Sequence, residues 1–234
     1  MRVCLLTYDV AHKKTAEVFF GLHNRSEFAI EFLLVPFSRR PDRPVAIKHR
    51  PDQFEGVGGR ALAQRFGLTV HEYERRQEAL GADWLIVCGA NLLEPAFASS
   101  GKIVNAHAGL IPLVRGLDSF KWAIWNLRPV GNTLHIIDEE ADSGTILHQI
   151  ETPVFADDDI LTFAERHYRS EIWLLQNFDR FLGSGKAMSL DKLEPTKRMP
   201  AEIERGLADR FEQYKARFGA AGDTGAGRVA TPAR

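Results

Sequence analysis

Asn105 and His107 stand two residues apart at the end of the apolar run KIVNA, and Asp142 lies thirty-five residues beyond His107, between two extended segments. In extended backbone, side chains two apart leave the same face. An amide, an imidazole and a carboxylate gathered in one pocket suit the attack of an amine on an activated acyl carbon. The amide and imidazole can stabilise the developing oxyanion, while the carboxylate fixes the imidazole or helps remove the amine's proton. On spacing alone, a polar Asn-x-His is equally a turn-former whose histidine is satisfied locally.

The elements around the trio decide whether it can converge. Residues 2–8 (RVCLLTY), 28–35 (FAIEFLLV), 84–88 (WLIVC) and 102–106 (KIVNA) are short apolar runs separated by polar or helix-patterned stretches. That is the pattern of parallel strands joined by crossovers. KKTAEVFFGLHNR, from Lys13, puts Ala16, Phe19, Phe20 and Leu22 near one side of a crossover helix. The expected fold is α/β, a Rossmann-like mostly parallel sheet with flanking helices, and such folds place ligands at the carboxyl ends of their strands.

Pro36 to Gly56 holds four prolines and many cations and reads as a surface loop. After Asn105 comes a Pro/Gly loop, then a helical stripe of Phe120, Ala123, Ile124 and Leu127. Extended segments follow at 131–138 and 144–154, joined by the acidic EEADS. A long helical pattern starting beyond Asp157–Asp159 ends at Gly183–Gly185, and an amphipathic helix is expected over 201–218. The expected organisation is a catalytic domain over 1–182, a short helical appendage over 183–218 and a disordered tail over 219–234. The last helix could pair two subunits into a homodimer or pack on its own domain.

Composition narrows the function. The 234 residues carry 30 Lys+Arg against 31 Asp+Glu, a formal net charge of −1. That offers no long-range attraction to polyanions, so nucleic acid is not an expected partner. No apolar run reaches the roughly 18 residues of a membrane span, and MRVCLLTYD lacks the features of a signal peptide. Cys4 and Cys88 sit in apolar runs, the usual setting of buried thiols in a cytoplasmic protein.

Other chemistries find no framework. The histidines lack metal-ligand spacing, so no metal is expected, and no G-x-S-x-G occurs. GVGG at 56–59 precedes a helical pattern but follows no strand, so it reads as a loop-to-helix turn rather than a phosphate cradle.

NAHAGLIPLVRG at 105–116, followed by GNTLHIIDEEADSG at 131–144, resembles the folate-dependent formyltransferases. Their pattern is Asn-x-His, then Ser-Leu-Leu-Pro with a following Gly, then Gly-x-Thr-x-His and an acidic turn ending Asp-x-Gly. WLIVCGANLLEP is similar to the family's strand and loop that hold the pterin, so the resemblance runs from about 84 to 180. It implies Asn105, His107 and Asp142 as the catalytic set and 10-formyltetrahydrofolate as the formyl donor. It also implies that Cys88, Gly89, Ala90, Asn91 and Leu92, with Ile137, Asp138, Glu139, Glu140 and Ala141, flank the pterin, largely through backbone groups. Gly109, Leu110, Ile111 and Pro112 would form the folate-side loop, with Gly109 where many members have Ser. His135 matches a family histidine placed to pack or to support the site.

Among the family's branches, the transfer-RNA-directed one adds a C-terminal β-barrel, whereas the residues after Leu182 are helical in pattern. Resemblance to the purine-pathway branch should bring a Gly-rich phosphate loop after the first strand, and TYDVAHKKT has no glycine. The LIPLVRG loop looks more like the branches with Arg-Gly after the proline, and the remaining branch formylates nucleotide-linked amino sugars in glycan biosynthesis. For such an acceptor, Arg115, Lys121 and the cations of the 36–50 loop could meet a diphosphate and Trp122 the base; core packing is the competing reading for Trp122 and Trp125. A purine-pathway ribonucleotide or an amino acid derivative could also serve as acceptor. Two further activities fit the same residues, a 10-formyltetrahydrofolate hydrolase and a non-catalytic binding module. Known hydrolases of this type carry an N-terminal regulatory domain, and here the first strand begins at once.

Overall fold

The computed structural model describes residues 1–37, 45, 47–139, 144–187 and 194–220. Eight strands form one sheet: β1 (Arg2–Tyr8), β2 (Ala29–Val35), β3 (Val70–Glu72), β4 (Trp84–Val87), β5 (Ile103–His107), β6 (Gly131–Ile136), β7 (Thr145–Glu151) and β8 (Lys186–Ala187). Their order is β3-β2-β1-β4-β5-β6-β7-β8. The first five pair in parallel and β6, β7 and β8 add antiparallel. The strand order reverses at β1, between β2 and β4, and such a reversal opens a crevice at the strands' carboxyl ends.

Helices α1 (Lys13–His23) and α2 (Gly59–Phe66) follow β1 and β2, the short α3 (Arg76–Ala79) and α4 (Pro95–Ala98) flank β4, and α5 (Ser119–Trp125) follows β5. The long α6 (Ile160–Gln176) starts at Asp159, whose side chain accepts the Thr162 backbone N–H at 2.7 Å. It lays Tyr168, Ile172 and Leu175 into the core that Phe19 and Leu22 of α1 share with the sheet. Each such fully buried large apolar side chain contributes on the order of 2 kcal/mol.

Two helical expectations change. The pattern from 161 to 182 is α6 to Gln176 and then a 3-10 turn over Phe178–Phe181, because the Asn177 amide donates to the Trp173 carbonyl and closes the helix. The helix of 201–218 divides into α7 (Ala201–Glu204) and α8 (Leu207–Phe218) around Gly206, where an added Cβ would lie 3.4 Å from the Trp125 ring. The three-residue β3 and two-residue β8 are too short to leave a periodic signal.

The last helix packs on its own domain. Leu207, Phe211 and Tyr214 are buried with Phe120, Ile124 and Phe163, and the Tyr214 hydroxyl accepts the Val130 N–H at 3.1 Å. That face is therefore covered within the chain and is not a surface for pairing subunits. The residues before it return to the loop after β5: Thr196 N donates to Arg115 O and Leu117 N to Thr196 O, both at 2.8 Å. The tail beyond Ala220 lies outside the described residues. Among the described residues no helix is long and apolar enough to cross a membrane.

Candidate active site

β5 carries Asn105 and His107 to the carboxyl edge of the sheet, where antiparallel β6 sets His135 opposite Asn105 and Thr133 opposite His107. The Asn105 amide nitrogen donates to His135 Nε2 at 3.1 Å. An extra residue in β7, Leu147, interrupts the β6–β7 register between Leu134 and His135, a bulge of the kind that re-aims neighbouring side chains. His135 is thus buried behind Asn105 and supports it.

Behind His107 the loop Gly109–Pro112 is held by side chains of the two antiparallel strands. The Thr133 hydroxyl donates to the Gly109 carbonyl (2.7 Å) and accepts from Ile111 N (3.0 Å) and Gln149 Nε2 (2.9 Å). Gln149 Nε2 also meets the Ile111 carbonyl at 2.7 Å.

Asn105, Ala106 and His107 form one wall of a cavity of about 150 Å³, and Val87, Cys88, Gly89 and Ala90 at the end of β4 form another. Tyr8, Lys14, Arg50 and Gln53 complete it. The cavity therefore sits where β1, β4 and β5 end, beside the reversal of strand order. Its volume is well below that of a whole ligand pocket.

The wall facing the strands carries paired charge. Lys14 Nζ lies 2.8 Å from Glu171 Oε1, and Arg50 reaches Glu171 through Nε at 2.9 Å and Nη2 at 3.0 Å. Burial alone would raise the Glu171 carboxyl, but the Arg50 and Lys14 charges prevail and hold it well below the usual carboxylate range. Two cations against one carboxylate leave this wall with a net positive charge.

Two histidines of this region are neutral in the fold. Burial, then the charges of Lys14 and Arg50, push His12 down to about 3; burial likewise takes His167 to about 3, against the opposing pull of Glu171. His12 Nδ1 is 2.8 Å from Thr15 Oγ1, and His167 Nδ1 is 3.0 Å from Thr152 Oγ1. The unfolded chain binds protons at these rings below pH about 6.5 and the folded chain does not, so stability falls as pH drops below that value. Urea unfolding at pH 7 and 5.5 is expected to differ by about 2 kcal/mol for the pair, a window above the usual carboxylate titrations. Equal stability at the two values would mean that the rings take up protons in the fold.

The other sequence-designated residues fall as follows. Burial pushes the Cys88 thiol up to about 12, which leaves it inert, and the neighbouring backbone of Gly89 and Ala90 borders the cavity. Asn91 is exposed and its amide meets the Pro36 carbonyl at 3.3 Å, while Leu92 stands 85% exposed. Ile137, like Val87, Ala90 and Leu93, is partly buried against the core that includes Leu6, Leu85 and Ile103, and is followed by partly buried Asp138 and exposed Glu139. Glu140, Ala141 and Asp142 lie outside the described residues.

On the acceptor side the expectations need correction. Lys121 is buried in an ion pair with Glu204, which removes its charge from any substrate. Trp122 is partly buried against the α5–α8 core and its indole N–H donates to the Lys197 carbonyl at 2.7 Å, so packing accounts for it. Arg115 is partly buried, and its Nε and Nη1 have no hydrogen-bond partner among the described residues. Lys14, Gln53 and Glu171 were not singled out from sequence. Lys14 and Glu171 are 157 residues apart, a separation that leaves no local signature.

Residues 38–177, more than half of the chain, match the sequence family described as Formyl transferase. The chain belongs to the formyl transferase family. A methionyl-tRNA formyltransferase of Synechococcus sp. (strain JA-3-3Ab) is 32% identical to it over 157 residues, 58% of this chain and 48% of the relative. A phosphoribosylglycinamide formyltransferase of Haemophilus influenzae is 29% identical over 120 residues, 50% of this chain and 57% of the relative. The chain therefore matches about half the length of these curated relatives. In structure it is similar to a sugar N-formyltransferase from Shewanella sp. FDAARGOS_354, with a TM-score of 0.60 at 19% identity over 90% of this chain and 87% of that one. It is also similar to the formyltransferase PseJ from Anoxybacillus kamchatkensis, solved with UDP-4,6-dideoxy-4-formamido-L-AltNAc and tetrahydrofolate. There the TM-score is 0.52 at 18% identity, covering 85% of this chain and 86% of that one. At these identities the two structures establish the formyltransferase fold. Among the described residues no group of three or more His, Cys, Asp or Glu side chains is arranged to hold a metal ion.

Proposed function

We propose that this chain moves the formyl group of 10-formyltetrahydrofolate to the primary amine of a small anionic acceptor, a nucleotide-linked amino sugar. The observation that carries the reading is that Asn105 and His107 line one cavity with the net positive Lys14–Arg50 wall. 10-Formyltetrahydrofolate supplies the activated formyl carbon. Val87, Gly89 and Ala90 at the end of β4 border the cavity, an edge that fits a flat heterocycle.

As the amine attacks, negative charge grows on the formyl oxygen, and the Asn105 amide and the His107 imidazole are the donors that stabilise it. Asp142 is the proposed partner for the imidazole or for the amine's proton. Lys14 and Arg50 receive the acceptor's phosphate groups, and Arg115, with Nε and Nη1 unpartnered among the described residues, offers a third cation. Sugar N-formyltransferases share this fold along nearly the whole chain, as does a phosphoribosylglycinamide formyltransferase.

The Lys14–Arg50 pair would also receive a phosphate monoester without a glycine loop, so glycinamide ribonucleotide is the acceptor to test beside it. The experiment is incubation with 10-formyltetrahydrofolate and a panel of nucleotide-linked amino sugars, following tetrahydrofolate release and, by mass spectrometry, formyl gain on each acceptor. A formylated sugar is the expected result. A formylated ribonucleotide alone would replace the sugar reading with the purine one. Folate release without a formylated acceptor would mean hydrolysis, and no release at all would refute formyl transfer to these acceptors.

A further inference from the structure

Position 109 cannot carry a side chain in this fold. A Cβ there would lie 2.6 Å from the Val114 carbonyl oxygen, 2.8 Å from His107 Nε2 and 2.9 Å from Ser119 Cβ. The space behind the imidazole is filled instead by Ser119, the first residue of α5, which is 3% exposed. Its hydroxyl lies 2.9 Å from the Gly116 carbonyl and 3.1 Å from His107 Nε2.

A serine hydroxyl has one hydrogen, and a carbonyl oxygen can only accept. The Ser119 hydrogen therefore goes to Gly116, and its oxygen can meet His107 only by accepting Nε2–H. We propose that Ser119 is a positioning residue that fixes neutral His107 in its Nε2–H tautomer, so that Nδ1 is the nitrogen that takes up the attacking amine's proton, donates as N–H to the formyl oxygen and then passes that proton to the departing folate nitrogen. The chain from Gly116 O through Ser119 Oγ to Nε2 also sets the ring's tilt toward the cavity, whose walls include His107 but not Ser119. The hydroxyl that the family pattern would carry at residue 109 is thus delivered from ten residues further on, by the start of a helix.

This inference rests on the proposed role of His107, and one of its readouts is independent of any acceptor. The test uses the full chain with ¹⁵N-labelled histidine, the His107 resonances being assigned by their loss in His107→Gln. The neutral ring is expected to show the Nε2–H pattern in the wild type and a mixture of both tautomers in Ser119→Ala. In kinetics with whichever acceptor is turned over, Ser119→Ala is expected to lower kcat about tenfold with KM for the folate donor nearly unchanged, and Ser119→Thr to restore most of the loss. A neutral wild-type ring protonated on Nδ1, or a Ser119→Ala protein with the wild-type tautomer and kcat, would overturn the proposal. If no acceptor is formylated, the tautomer spectrum still decides it.

Discussion

Replacing Asn105 or His107 with alanine is expected to cut formyl transfer by about 10² or more, the usual loss when one donor to a developing oxyanion is removed. The effect should fall on kcat, because both groups strengthen their contact only as charge grows on the formyl oxygen. Neither change should unfold the protein. Asn105→Ala removes one partner of His135, a cost of roughly 1–3 kcal/mol. The double variant should lose less than the product of the two single losses, since both donors serve the same oxygen. Single-turnover rates with folded proteins check this. Wild-type rates in both single variants would remove these residues from the mechanism.

Glu171→Ala is expected to give the largest stability loss, about 3–5 kcal/mol in urea unfolding, because it strands Lys14 and Arg50 beside each other without their counter-ion. Glu171 is fully buried and Lys14 nearly so, so water offsets little of the lost pairing at Lys14. Glu171→Gln keeps the volume and some hydrogen bonding, and should recover only part of the loss. An unchanged unfolding midpoint in both variants would mean that solvent or another carboxylate screens the cations.

The parts of this protein that repeat locally were legible in its sequence. Apolar runs at β1, β2, β4 and β5 announced a parallel sheet, because strands buried on both faces must be continuously apolar. Asn105 and His107, two apart on β5, line the same cavity. Short or interrupted elements escaped: β3 has three residues, and the expected last helix divides at Gly206.

Charge placement was legible only as an inventory. The sequence offered Lys121 and the loop cations alike for an anion, and nothing in their spacing separated them. The fold assigns Lys121 to Glu204 in the α5–α8 core, and directs Lys14 and Arg50 to Glu171 at the cavity. The same holds for Gly109, which reads in sequence as a lost hydroxyl and in the structure as the gap that Ser119 fills. The sequence by itself determined the longer strands, the main helices and the polar pair at the end of β5, since strand and helix periodicity are properties of neighbouring residues. Only the tertiary structure decided which cations face the cavity and which hydroxyl holds the imidazole. Those choices depend on side chains brought within hydrogen-bond reach from 12 to 157 positions apart, by a packing that no local pattern encodes.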